Sequence, residues 1–151
     1  KTDELYGEVI TAKDLKTHLD RRVVSMMIAD IQRFDLIVGY YSTKFDVPFA
    51  RTRAQVLHLP FPGFGTIQHK DVYYIVRNKF ALSRNRQEIA ARMLVGKTEK
   101  THILPDYWLR ALSGDKKSLE YIFEHNKRDV RDLKRLSHAV MPFTKNTTAS
   151  I

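Results

Sequence analysis

Asp35-Leu-Ile-Val-Gly-Tyr-Tyr-Ser-Thr-Lys-Phe-Asp46-Val-Pro-Phe49 passes from a continuous apolar run into a helix signal. Leu36 to Tyr41 is short and does not alternate, which suits a strand buried on both faces of a mostly parallel sheet. Pro48 then fits the first turn of a helix through Ala54–Leu57. Strand, loop and helix in that order make an α/β unit. Open α/β sheets place ligand sites at the carboxyl ends of their strands, which is where Asp46 falls. Aspartate is also a favoured helix N-cap, so Asp46 carries both readings.

The rest of the chain extends the alternation. Tyr6–Thr11 has the composition of a short strand, and Asp14 to Phe34 reads as mostly helical, with Val24, Met27, Ile28 and Ile31 on one apolar face. Leu59–Gly65 is a rigid Pro/Gly loop. Thr66–Lys70 reads as a strand ending at Asp71. Val72–Val76 has strand-like composition, yet the spacing of Val72, Ile75, Val76 and Lys79 also allows a helix, the preferred reading, which Asp71 would cap. Ser83 or Asn85 caps a helix through Val95, Asn85 and Glu88 having capping-box spacing, and Gly96 ends it. Lys97–Leu104 is a basic loop, Pro105–Leu112 a helix stopped by Gly114, and Asp115 or Ser118 opens the last long helix.

That last helix, Ser118 to Val140, draws its apolar stripe through Leu119, Ile122, Val130, Leu133, Leu136 and Val140. Asp129 falls on or beside the stripe, with His125 one turn earlier on the same flank. A carboxylate turned toward a core is costly unless something positive or hydrogen-bonding meets it. The residues leave two readings open: a metal-dependent site, or an acid held by a buried arginine or backbone amide. Asp132 leans toward the solvated side on this stripe and pairs with Lys or Arg. His18, His58, His69, His102 and His138 have no paired metal spacing and read as surface or loop histidines.

At 151 residues, 43% apolar and 28% charged, the chain has the size and composition of one soluble domain. No apolar run approaches a bilayer span and no secretion signal opens the chain, which points to a cytoplasmic or nucleoid-associated protein. The absence of cysteine excludes disulfides and thiolate metal sites. Twenty-six Lys and Arg against seventeen Asp and Glu leave +9, an electrostatic footprint for polyanions such as DNA or RNA.

Taken together, the Asp35–Phe49 stretch and Tyr121-Ile-Phe-Glu-His125-Asn-Lys-Arg-Asp129-Val130 resemble the second and last motifs of the RNase H-like exonucleases of the DEDD group. The closest likeness is to the branch found in phages, archaea and bacteria. Trp108–Asp115 and Leu59–Asp71 share it, so that it spans roughly residues 23 to 140. The resemblance implies an α/β fold with an RNase H-like mixed sheet flanked by helices. It also implies a 3′–5′ exonuclease using two ions, Mg²⁺ or Mn²⁺, held by four carboxylates. Asp46 and Asp129 take the places of two metal ligands, and His125 that of the residue which orients or deprotonates the water.

The sequence departs from the pattern in three places. No Asp is followed two residues later by Glu, so the opening Asp-x-Glu motif and the strands that carry it are missing. His125 has the three-residue spacing to Asp129 used by the tyrosine subgroup, and Tyr41 stands where Asn is common. The resulting expectation is an exonuclease domain over 1–143, incomplete at its N-terminus, with 144–151 as a flexible tail. The competing class is an inactive nuclease-like domain that binds nucleic acid or a protein partner. Lys44, Arg51 and Lys97 are the candidate contacts to a nucleic-acid backbone. Affinity for an oligonucleotide, followed by filter binding, should therefore fall steeply between low and physiological salt through counterion release; a flat response would exclude a nucleic-acid role.

Overall fold

A computed structural model describes residues 4–17, 19–144 and, by their backbone, 149–150; His18 lies outside the described residues. The helices are α1 (Ala12–Thr17), α2 (Arg21–Ile31), α3 (Asp46–Val56), α4 (Val72–Lys79), α5 (Gln87–Val95), α6 (Pro105–Leu112) and α7 (Lys116–Val140). The strands are β1 (Leu36–Gly39), β2 (Gln68–Asp71) and β3 (Ala149–Ser150), and a 3₁₀ turn covers Met141–Phe143. The sheet is mixed, in the order β1-β2-β3. β1 runs parallel to β2, with Leu36 opposite Gln68 and Gly39 opposite Asp71, and β3 is antiparallel to β2.

Several elements lie where the sequence puts them. Pro48 sits in the first turn of α3, Gly96 closes α5 in the left-handed conformation (φ 82°), and α6 runs from Pro105 to Leu112. Asp71 caps α4 and Asp115 caps α7 through the Ser118 amide. Others differ. Tyr6–Thr11 forms no strand, and the helix expected over Asp14–Phe34 is two, with Leu19 at φ 52° between them. A residue in that region cannot continue a right-handed helix. Arg86, not Asn85, is the N-cap of α5, and no side chain caps it. β1 is not buried on both faces: Leu36 and Val38 are exposed, and among the described residues the strand pairs on one side only.

The main core joins Val72 and Val76 of α4, Ala90 of α5 and Leu136 and Val140 of α7. A second cluster packs Val24 and Ile28 of α2 against Ala54 of α3, and a third sets Val47 against Ile67. Arg53 ties α3 to Asp20, just before α2, through Nε and an Nη at 2.5 Å each.

On α7 the buried line runs Ser118, Ile122, His125, Asp132, Leu136 and Val140, whereas Val130 is half exposed. Following three- and four-residue steps from Ile122 leads through positions 125, 129 and 132; position 130 is about 100° further round. The fully buried acid is therefore Asp132, not the solvated residue expected, although its partner is a basic one, Arg135. Its carboxylate also accepts from Thr98 Oγ1 (2.6 Å) and the Glu99 amide (3.0 Å). These bonds fasten the loop after α5 onto α7. Burial pushes this carboxyl up, but the hydrogen bonds from Thr98, Arg135 and Glu99 outweigh it and its pKa is lowered. Its contribution is thus present above about pH 4, the unfolded value, and is lost as pH falls through the lower folded value. Asp132→Ala should lower stability by about 3 kcal/mol in urea melts at pH 7. The gap to the parent protein should narrow at low pH, and equal melts at pH 7 would contradict this role.

Candidate functional site

The loop from β1 to α3 is folded by a single acceptor. The Asp71 carboxylate takes hydrogen bonds from the amides of Tyr41 (2.7 Å), Thr43 (3.0 Å) and Tyr73 (3.1 Å) and from Thr43 Oγ1 (2.6 Å). Tyr41 is held there at φ 59°, an uncommon conformation for a bulky side chain. The amides of Phe45 and Val47 then bond back to the Tyr41 and Ser42 carbonyls, which starts α3 at Asp46.

Beneath this loop Ser42 Oγ lies 2.8 Å from His69 Nε2, both side chains being buried. A Cβ on Gly39 would come within 1.8 Å of that hydroxyl, so only glycine lets the strand pass this close. His69 is therefore no surface histidine. Its Nδ1 is buried without a hydrogen-bond partner, and burial holds the imidazole below its ordinary pKa, against the pull of Asp71 and Asp46.

Asp46 is the first residue of α3 and makes no side-chain cap. Although the residue as a whole is exposed, it lines a small crevice of about 130 Å³ with Ser42 and His69. Burial pushes its carboxyl up; its own backbone and His69 lower it and the charge of Asp71 raises it.

A separate cluster forms on α7. His125 Nε2 and Asp129 Oδ2 are 3.6 Å apart, wider than a hydrogen bond. His125 Nδ1 meets Thr101 Oγ1 at 2.9 Å, and Lys100 Nζ stands 3.6 Å from the same Asp129 oxygen. Gln87 of α5 donates to the Asp129 carbonyl at 2.7 Å. Asp129 Oδ1 is buried and accepts no hydrogen bond among the described residues.

The structure thus joins His125 to Asp129 but sets Asp46 with His69 and Asp71. None of the described crevices is lined by both Asp46 and Asp129. Among the described residues no three His, Asp or Glu side chains converge where they could hold a metal ion. The described acids by themselves therefore do not complete a two-ion centre, and the orphaned Asp129 oxygen is an atom that would suit a cation.

Of the expected backbone contacts, Lys44 lines a cleft of about 590 Å³ with Lys70, Lys79 and Asp71. Arg51 lies over the Phe61 ring, 5.8 Å from its centroid, and Lys97 is exposed just past Gly96. No described helix is long and apolar enough to cross a membrane.

A family model described as the RNase_H superfamily matches residues 3–141. The chain belongs to the RNase H superfamily. No curated protein matches it. Within this RNase H superfamily chain, sequence reasoning missed His69, the reach of Asp71 and the burial of Asp132. Period two along the strand carried the first signal: Ile67, His69 and Asp71 are all buried, and alternation puts them on one face.

The lowered His69 pKa has a definite sign. The folded value lies below the unfolded one, so its share of stability is complete above about pH 6.5 and declines as pH falls below it. Urea melts should show the parent losing more stability than His69→Gln between pH 7 and pH 5. An imidazole that titrates by NMR above 6.5 would contradict the burial argument.

Proposed function

We propose that this chain is a nuclease-like domain acting on a strand of DNA or RNA, its reaction the 3′–5′ exonucleolytic hydrolysis of phosphodiester bonds. In this reading it belongs to the DEDD group, in the branch found in phages, archaea and bacteria. The observation that carries it is the His125–Asp129 pair with its unsatisfied carboxylate oxygen, inside a stretch matched to the RNase H superfamily. Asp46 and Asp129 would be ligands to Mg²⁺ or Mn²⁺, ions that supply charge neutralisation and an activated water when bound.

The chain's own residues have narrower tasks. In the tautomer whose Nδ1–H donates to Thr101 Oγ1, His125 Nε2 can accept a proton from a water, and Asp129 flanks it. Lys44 and the neighbouring Lys70 and Lys79 offer positive charge to a phosphodiester backbone; Arg51 and Lys97 would extend it. A second reading, binding without hydrolysis, draws support from Lys100, which already offers Asp129 a positive charge.

A single-stranded oligonucleotide labelled at its 5′ end separates the two. The hydrolytic reading expects progressive shortening from the 3′ end that needs Mn²⁺ and is lost in both Asp46→Asn and Asp129→Asn. Because the described acids are too few for two ions, turnover should lie far below the ~10 s⁻¹ of a median enzyme. Binding without shortening under any ion would establish the second reading instead.

A further inference from the structure

We propose that the groove between the β1–α3 loop and the start of α5 holds one unpaired nucleotide, its base stacked on Tyr41 with Tyr73 at its edge and its phosphate met by Arg86 and Lys100. This rests on the reading that the chain acts on nucleic acid, and it assigns the strand a place.

The groove encloses about 510 Å³, within the range of small-molecule sites. Its aromatic wall is built from consecutive edge contacts. Tyr41 and Tyr73 meet at 4.7 Å between centroids and 71°, and Tyr40 meets Tyr73 at 5.9 Å and 83°. Tyr40 is fixed behind them by its hydroxyl, which donates to the Asn85 carbonyl at 2.8 Å. Tyr41 is 45% exposed, so the protein leaves much of this residue uncovered.

Two features of this wall, a backbone conformation held by Asp71 and an unpaired polar atom, suit a ligand. A tyrosine at φ 59° costs on the order of 1 kcal/mol or more, and residues held in this way cluster at ligand sites. The Asn85 side-chain oxygen on the same wall is buried and has no hydrogen-bond partner. A stacked base would use the first, and a polar base edge could satisfy the second after a small side-chain rotation.

The electrostatics agree. Arg86 stands at the uncapped N-terminus of α5, where backbone amides and the helix dipole favour an anion. Glu88, the one acid lining the groove, is neutralised by Arg92 at 2.7 Å. Lys100 and Gln87 line the groove and also touch Asp129, so a nucleotide seated there lies next to the His125–Asp129 pair. Stacking on aromatic rings is tolerant of base identity, which predicts weak sequence preference.

The test is fluorescence anisotropy with EDTA present, using a labelled oligothymidylate and an abasic strand of equal length. The parent should bind the base-bearing strand about tenfold or more tightly, in keeping with the worth of one stacked base. Tyr41→Asn, which tolerates the left-handed backbone, and Tyr73→Leu should each remove most of that preference while leaving abasic binding unchanged. Arg86→Gln should weaken both strands and lower the salt slope by about one. Equal binding of the two strands by the parent, or tyrosine variants that keep the full preference and melt normally, would overturn the groove and leave the nuclease-like reading standing. Failure to bind either strand would overturn both.

Discussion

One carboxylate at the junction of β2 and α4 sets the geometry of this molecule's active-looking face. Asp71 ends the parallel pairing with β1, caps the helix that follows, and collects the amides of Tyr41 and Thr43 from the neighbouring crossover. A buried carboxylate is tolerable only where donors surround it, and here four donors do so. The loop cannot relax to an ordinary turn without stranding that charge. Both the left-handed Tyr41 and the placement of Asp46 at the start of α3 follow from it.

A second buried acid repeats the device on the other side of the groove. Asp132 holds the loop after α5 by Thr98 and Glu99, and two residues later that loop delivers Lys100 and Thr101 to Asp129 and His125. Helix α7 can therefore carry histidine and aspartate on its buried line, because a strap of polar backbone covers them. Each acid fixes a loop, and between the two loops lies the aromatic groove.

What was legible in the sequence follows this division. Elements defined by their own residues appeared where expected: the β1 run, Pro48 in α3, Gly96 and Pro105 at helix ends, and Asp71 as a cap. The approach of His125 to Asp129 was readable because both lie on one helix, four residues apart. Features set by a distant partner were not. Asp132 reads as a solvated residue until Thr98 is brought beside it, 34 positions away in the chain. His69 gains its burial from Ser42 and from the missing side chain at Gly39. How Asp46 and Asp129 lie relative to each other is likewise a tertiary matter: residues 46 and 129 lie on different helices, and no local pattern encodes where those helices settle.

Asp71 is the clamp for the β1–α3 loop, and site-resolved amide hydrogen exchange measures that directly. In Asp71→Ala the Tyr41 and Thr43 amides lose the carboxylate that accepts them, and their protection should fall by about tenfold or more, equivalent to ~1.4 kcal/mol of local opening. Amides in the middle of α7 should change far less. Unaltered protection at Tyr41 and Thr43, or a loss spread evenly over the whole chain, would contradict a local clamp.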